Sequence, residues 1–153
     1  MEKVKNILFV CTGNSCRSIM AEAYLQKRAK EELLGLEVRS AGTMGFKGMK
    51  PADNTIKMLK EEKIDPAGYE STKLDEAVLD WADLILVMEP MHKEKIISYS
   101  PEAEKKVAYL RKFDDNSEDL MIPDPIGRTR AFYRVSFGII KRSIEGLITW
   151  LKK

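Results

Sequence analysis

Apolar and polar positions follow one another along the chain in blocks that predict alternating strands and helices. Short apolar runs over 7–10 and 84–88 are typical of strands buried on both faces of a parallel sheet. The patterns over 36–41 and 107–110 predict two further strands. Apolar residues elsewhere recur at the three- and four-residue spacing of helices, which predicts helices over 17–34, 51–62, 74–81, 90–99 and 129–151.

This order of elements predicts the α/β fold class. We expect a three-layer α/β/α arrangement with a central four-stranded parallel sheet, and residues 1–153 as a single domain. In such folds the ligand binds beyond the carboxyl ends of the strands. The first strand is expected to end at Val10, so the segment after it is the first candidate for chemistry.

The helical patterns also predict which side chains pack inward. Leu33 and Leu34 are expected to pack at the end of the first helix, and the segment from Phe113 to Asp124 to form a long polar loop. The closing helix carries an apolar stripe at helical spacing, made of Phe132, Val135, Ile139, Ile140, Ile144, Leu147, Ile148 and Leu151.

Residues 11–18 read Cys-Thr-Gly-Asn-Ser-Cys-Arg-Ser, between the first predicted strand and helix. Backbone N–H groups in this position can surround an anion, and a helix start adds positive potential. The nucleotide-binding pattern G-x-x-x-x-G-K-[ST] is absent. Instead, five residues separate Cys11 from Arg17, so the sulfur can lie at the centre of the loop while the guanidinium holds two phosphoryl oxygens.

Each residue of this loop has an expected role. Amides from Thr12 to Arg17 would surround the sulfur and lower the Cys11 pKa below its free value of about 8.5. Gly13 would supply an unusual backbone angle, Asn14 would brace the loop, and Ser18 would donate to the thiolate. The alternative is a helix entry that buries one inert cysteine. The candidate substrate-binding residues are Thr12, Gly13, Asn14, Ser15, Cys16 and Ser18.

The segment from Val10 to Ser18 resembles the signature loop of low-molecular-weight protein tyrosine phosphatases, and Met20-Ala21-Glu22 continues the likeness. Three later segments resemble that family too, so the resemblance covers nearly the whole chain: Ser40-Ala41-Gly42-Thr43, Ala82 to Met88 with His92, and Asp124-Pro125 with Gly127. The resemblance implies a phosphatase that hydrolyses phosphotyrosine in proteins through a phosphocysteine intermediate.

The resemblance also implies a general acid. From the residues alone, Asp124-Pro125 is a common turn dipeptide. The resemblance implies that Cys11, Arg17 and Asp124 are the catalytic residues. Asp124 would protonate the leaving oxygen and then activate water. No metal or cofactor is then required. Phe46 is a candidate cleft wall for an aromatic phospho-residue, or else an exposed loop residue.

Departures from the family pattern leave the substrate open. Eukaryotic members resembled here have tyrosines after the Asp-Pro pair, whereas this chain has Ile126 and Gly127, and the glycine resembles bacterial members that include protein arginine phosphatases. Ser15 stands where arginine phosphatases have Thr and many tyrosine phosphatases have Ile. A protein arginine phosphatase is therefore the alternative. Tyr69 is expected where the family often has a histidine that supports the serine network behind the loop.

Two other functions compete. Arsenate reductases resemble this loop closely, but they relay electrons through further cysteines, and this chain has two cysteines in all. A non-catalytic phosphate-binding module would need no general acid. Cys16 can simply pack behind the loop, or it can form a reversible protective disulfide with Cys11, because a curled loop can bring the two sulfurs close.

Composition restricts the expected partners of the protein and its expected location in the cell. A formal net charge of +2 gives no reason to expect nucleic-acid binding, and no apolar run approaches the ~18 residues of a membrane span. The apolar stretch near the start has four residues, too short for a signal peptide, so we expect a cytoplasmic protein. Expected partners are phosphorylated protein substrates, with phosphate or sulfate able to occupy the loop. We expect a monomer.

Overall fold

The computed structural model describes residues 3–44, 46–115 and 117–153, and contains a four-stranded sheet in which all neighbouring strands are parallel. The strands lie in the order β2-β1-β3-β4. Their bounds are β1 (Asn6–Cys11), β2 (Glu37–Gly42), β3 (Leu84–Val87) and β4 (Val107–Tyr109). The predicted α/β class and four-stranded parallel sheet are confirmed.

In the part of the chain that the structure describes, five α-helices accompany the sheet: α1 (Arg17–Glu31), α2 (Asp53–Glu61), α3 (Glu76–Trp81), α4 (Pro90–Tyr99) and α5 (Arg130–Leu151). The segments Pro101–Lys106 and Leu110–Phe113 form 3-10 helices that the pattern does not predict. Within the described residues, no helix is long and apolar enough to cross a membrane.

Strand β1 shows why the sheet is covered on both faces. Its side chains alternate, so Ile7 and Phe9 join a core with α1 and α5, while Leu8 and Val10 join a second core with α3 and α4. Helices therefore cover each face, as the three-layer prediction requires. From β1 the chain passes first to one neighbour and later to the other, so the strand order reverses beside the carboxyl end of β1.

Two burial predictions are wrong. Helix α1 ends at Glu31 because Leu33 takes a φ of 53°, and its side chain is 90% exposed, although Leu34 does pack against the core. On α5, Val135 is 57% exposed, whereas Tyr133 and Phe137 are buried.

Serines explain the error on α5. The buried face of that helix includes Ser136 and Ser143, which an apolar pattern cannot mark. Their hydroxyls donate to the carbonyls of Pro123 and Ile139, at 2.9 and 2.8 Å, so their burial leaves no donor unpaired. The inward face is therefore rotated from the predicted stripe.

Candidate active site

The loop after β1 places the Cys11 sulfur in a buried position at the carboxyl edge of the sheet. Cys11 is the last residue of β1, one residue beyond the predicted strand end, and Arg17 is the first residue of α1, as the sequence predicts. The Cys11 Sγ lies 2.8 Å from the Ser18 Oγ in the first turn of that helix. Ser18 is thus placed to donate a hydrogen bond to the sulfur.

Asn14, rather than Gly13, takes the unusual backbone angle of the loop. The φ of Asn14 is 53°, in the left-handed region that asparagine tolerates better than most residues. Gly13 is not among the described residues with positive φ, so its expected role is wrong. Asn14 does brace the loop as predicted, because its side chain is buried and hydrogen-bonded to Ser18, Ser40 and Thr72.

The end of β2 holds the loop from the side. The backbone N–H groups of Thr43 and Met44 donate to the carbonyls of Cys11 and Thr12, both at 2.9 Å. Gly42 lies so close that a Cβ built there would be 2.7 Å from the Thr12 carbonyl oxygen. A glycine is therefore needed at this strand end because the loop backbone occupies the space of a side chain.

Arg17 is held by charged and carbonyl groups from two distant segments. The side chain is 1% exposed, and its Nη1 donates to the Glu89 Oε2 at 2.7 Å and to the Ile122 carbonyl at 2.8 Å. Its Nη2 lies 3.5 Å from the Asp124 Oδ2. Glu89 is a site residue that no sequence motif marks; its place directly after the third strand is the one signal that could have found it.

Asp124 faces the same guanidinium from a tight turn. Its side chain is 39% exposed, and its Oδ1 accepts a hydrogen bond from the Ile126 N–H at 3.1 Å. The segment before it is anchored, since the buried Ile122 donates its N–H to the Met88 carbonyl at 3.0 Å. The structure therefore brings Asp124 to the Arg17 guanidinium, beside Cys11, although Asp124 lies far from both residues in the sequence.

The environment of the Cys11 thiol acts on its pKa in both directions. Burial raises the pKa above its ordinary value and is the largest contribution. The Arg17 charge, the Ser18 hydroxyl and the backbone N–H groups of Ser18 and Asn14 lower it. The predicted net lowering is wrong for this arrangement, and thiolate formation depends on those opposing interactions.

His92 has a structural position beside the loop. Its Nδ1 accepts the Met88 N–H at 3.4 Å, so its Nε2 carries the proton and donates to the Thr12 Oγ1 at 3.0 Å. Burial, with the nearby Arg17 charge, lowers the His92 pKa to about 4. The ring is therefore neutral at pH 7 and acts as a brace between β3 and the loop.

Ser15 and Cys16 complete the loop on the side of α2 and α5. The Ser15 carbonyl accepts hydrogen bonds from the Ala52 N–H at 3.1 Å and the Thr55 Oγ1 at 2.8 Å. The Cys16 Sγ lies 3.2 Å from the Tyr133 hydroxyl. Cys11 and Cys16 are both free thiols, and the disulfide between them stays a prediction.

Two predicted positions differ from the others. Phe46 is 74% exposed, so its role as a cleft wall stays a prediction. The Tyr69 hydroxyl donates to the Gln26 Oε1, while Ser40 donates to the Glu22 Oε1 at 2.6 Å. Glu22, not Tyr69, therefore gives the serine network its direct support.

Among the described residues, no three His, Cys, Asp or Glu side chains are grouped so as to hold a metal ion. The described residues bring together the Cys11 thiol, backbone N–H groups of Asn14 and Ser18 beside it, the Arg17 guanidinium and the Asp124 carboxyl. These are the groups that transfer of a phosphoryl group to sulfur and then to water would use.

Comparison with known proteins gives consistent matches. The family model described as low molecular weight phosphotyrosine protein phosphatase matches residues 6–153. The chain is 38% identical over 141 residues to a protein-arginine-phosphatase of Geobacillus stearothermophilus, covering 92% of each chain. It is 33% identical over 138 residues to the low molecular weight protein-tyrosine-phosphatase Wzb of Escherichia coli, covering 90% of this chain and 89% of that protein.

Solved structures agree with these sequence matches. A YwlE mutant from Bacillus subtilis superposes with a TM-score of 0.90 at 33% identity, covering 97% of this chain and 99% of the other. The tyrosine phosphatase Wzb from Escherichia coli K30, in complex with sulphate, has a TM-score of 0.82 at 26% identity, with 97% of each chain covered.

Proposed function

Because the chain belongs to the low molecular weight phosphotyrosine protein phosphatase family, we propose that it hydrolyses phosphotyrosine in proteins through a phosphocysteine intermediate. The observation that carries the proposal is the convergence of three groups at the carboxyl edge of β1. The buried Cys11 sulfur lies in the loop, Arg17 begins the helix after it, and the Asp124 Oδ2 lies 3.5 Å from the guanidinium.

In the first step the Cys11 thiolate attacks phosphorus and the bond to the tyrosine oxygen breaks. The backbone N–H groups of residues 12–17 and the Arg17 guanidinium bind the equatorial oxygens, where charge develops in the transition state. Thr12, Gly13, Asn14, Ser15, Cys16 and Ser18 would form and support this cradle, and Phe46 would contact the substrate ring.

Asp124 acts in both steps. Its carboxyl proton passes to the tyrosine oxygen as that oxygen leaves. The resulting carboxylate then takes a proton from water, which attacks the phosphocysteine, releases inorganic phosphate and regenerates the thiolate. Its partial exposure supports this assignment, because both a leaving group and water can reach it.

Further parts of the proposal concern the setting of the reaction. We propose that the partners are phosphorylated proteins and that phosphate or sulfate can occupy the loop, as sulphate is bound in the related Wzb structure. A monomeric protein that acts in the cytoplasm without a metal is the simplest form of this proposal.

Phosphoarginine in proteins is the second candidate substrate. The 38% identity to an arginine phosphatase favours it, as does the glycine at position 127. Ser15 is the position to test. Its carbonyl is held by hydrogen bonds from Ala52 and Thr55, so a substitution should change the side chain without moving the loop backbone.

The test compares release of phosphate from phosphotyrosine and phosphoarginine peptides in the presence of a metal chelator. We expect faster hydrolysis of phosphotyrosine and a trapped phosphocysteine after acid quench. Ser15→Ile and Ser15→Thr should shift the ratio in opposite directions. Activity that survives Cys11→Ser, or that requires a metal, would contradict the mechanism, and a higher kcat/KM for phosphoarginine would replace the first substrate by the second.

A further inference from the structure

A continuous chain of hydrogen bonds leads from the Cys11 sulfur through the back of the loop to a carboxyl group on α1. The Asn14 Nδ2 donates to the Ser18 Oγ at 2.6 Å and to the Ser40 Oγ at 2.9 Å. The Ser40 hydroxyl donates to the Glu22 Oε1 at 2.6 Å. With the sulfur 2.8 Å from Ser18, every link is within hydrogen-bonding distance.

A backbone group fixes the direction of this chain. The Thr72 N–H can only donate, and it donates to the Asn14 Oδ1 at 2.8 Å, so the two hydrogens of the Asn14 amide must point at the two serines. Each serine oxygen therefore accepts from Asn14 and has its own hydrogen left to give. Ser18 gives it to the Cys11 sulfur and Ser40 gives it to Glu22.

Glu22 is held as an acceptor on both oxygens. The Gln26 Nε2 donates to the Val38 carbonyl at 3.0 Å, which fixes the orientation of that amide, and it also reaches the Glu22 Oε2 at 3.4 Å. The Tyr69 hydroxyl donates to the Gln26 Oε1. A proton added to Glu22 would weaken one of its two accepted bonds, so the arrangement suits the carboxylate.

We propose that Glu22 is a positioning residue for the nucleophile. By accepting the Ser40 hydrogen, its carboxylate fixes Ser40 and Asn14, and through them keeps the Ser18 hydroxyl directed at the Cys11 sulfur. This proposal rests on the proposed function, because it assigns Cys11 as the attacking group. It concerns the alignment and ionisation of the sulfur, whereas binding of the phosphoryl group belongs to the other side of the loop.

Solvent can reach the outer end of the chain of hydrogen bonds. Glu22, Ser40 and Tyr69 line an open pocket of about 420 Å³ together with Arg39, Glu70, Thr72 and Asp75. Burial raises the pKa of Glu22 to about 7, against the hydrogen bonds from Ser40 and Gln26 that lower it. The other charged or titratable groups facing the pocket come from β2, from the segment between α2 and α3, and from the start of α3: Arg39, Tyr69, Glu70 and Asp75.

The first experiment measures the pH dependence of Cys11 alkylation by iodoacetate, with the modified residue identified by mass spectrometry. Glu22→Met keeps the side-chain volume and removes the acceptor. We expect alkylation at pH 8, where Glu22 is ionised, to be about threefold to tenfold slower than in the parent protein, because Ser18 is held less firmly as a donor to the thiolate. For an aryl phosphate, kcat should fall by a similar factor while KM stays unchanged.

Two variants serve as matched controls. Glu22→Gln keeps an oxygen that can accept from Ser40, and it should restore most of the alkylation rate. Glu70→Gln removes a negative charge from the same pocket at an exposed position outside the chain of hydrogen bonds, and its alkylation profile should match that of the parent.

A double-mutant cycle with Ser40→Ala tests whether Glu22 acts through Ser40. The Glu22→Met effect should disappear in the Ser40→Ala background, and Ser40→Ala alone still tests the path if Glu22→Met fails to fold. Additive effects, or a Glu22→Met alkylation profile that superimposes on the parent's, would overturn the proposal. If Glu22→Met slows Cys11 alkylation as expected but the parent protein has no phosphatase activity, the proposed function is contradicted and the positioning role of Glu22 is supported.

Discussion

The two sides of the loop that follows β1 are built in different ways. On the front, Arg17 meets the carboxyl groups of Glu89 and Asp124, which come from two distant segments. On the back, Asn14 and Ser40 form part of a chain of short hydrogen bonds. A phosphoryl group would compete with carboxylates for the guanidinium, so the front must exchange partners during turnover, whereas the back can keep its hydrogen bonds throughout.

The largest effect should follow from changing the fork of Arg17 while keeping its charge. Arg17→Lys removes the planar pair of donors that can hold two oxygens, and we expect kcat/KM for an aryl phosphate to fall about 10³-fold. Arg130→Lys, at the exposed start of α5, is the matched control and should leave kcat/KM unchanged. If kcat/KM of Arg17→Lys fell by less than tenfold, a positive charge without the paired donors of arginine would be sufficient to bind the phosphoryl group.

Removal of the proton donor on the front should have the next largest effect. Asp124→Asn should lower kcat about 10²-fold for a substrate with a poor leaving group, and less for one whose leaving oxygen needs no proton. Asp115→Asn, which changes an exposed carboxyl earlier in the chain, is the control. Equal losses for both leaving groups would contradict the acid role.

The chain of hydrogen bonds behind the loop should also affect the pH dependence of stability, through Glu22. The pKa of Glu22 is raised in the folded protein, so its contribution to folding is fully present below about pH 4.5 and is lost as the pH rises through about 7. Glu22→Gln should remove this loss. Between pH 5 and pH 8, the free energy of unfolding of the variant should improve by about 2 kcal/mol relative to the parent.

His92 changes the stability in the opposite direction as the pH rises, so the free energy of unfolding of the parent must be subtracted from that of the variant. Its lowered pKa gives stability that is present above about pH 6.5 and lost as the pH falls towards 4. Because both proteins contain His92, urea unfolding of the pair at each pH isolates Glu22. A difference between parent and variant that does not change with pH would refute the Glu22 assignment.

The smallest effects should distinguish two glycines, Gly13 within the loop and Gly42 at the strand end beside it. A Cβ at Gly42 would lie 2.7 Å from the Thr12 carbonyl oxygen and 2.9 Å from the Asn14 nitrogen, so Gly42→Ala must displace loop backbone. We expect kcat to fall roughly tenfold. Gly13→Ala places its Cβ 3.6 Å from the Ser15 Oγ, an ordinary contact, and kcat should stay within about twofold. The reverse ranking would show that Gly13 matters for phosphoryl approach.

Sequence predicts the loop well because its geometry is local. Cys11 and Arg17 lie at fixed distances along a strand, a loop and a helix, and those elements are marked by strong apolar patterns. The partners of the loop are not marked in this way. Glu89 lies in no motif, and Glu22 appears only at the end of the family likeness. Their contacts with Arg17 and Ser40 arise when the packed sheet brings these residues together.

Errors in the helices have a related cause. The pattern on α5 misplaces the buried face because buried serines satisfy their hydroxyls on backbone carbonyls, which hydropathy does not register. Helix α1 stops before Leu33 because the backbone takes a left-handed conformation there, although leucine itself is a good helix former. Backbone conformation and polar pairing are the two kinds of information that apolar spacing leaves out.

The position of Ile122 sets a rule for lengthening the chain. Its N–H donates to the Met88 carbonyl and its own carbonyl accepts from Arg17. These two hydrogen bonds fix the position of Ile122, and therefore the point from which the chain runs on to Asp124. Residues inserted between Ser117 and Leu120 would lie before that point. A single residue inserted between Ile122 and Asp124 would move the carboxyl away from the guanidinium. The spacing of these two residues is therefore fixed, whereas the length of the chain before Ile122 is not fixed by this contact.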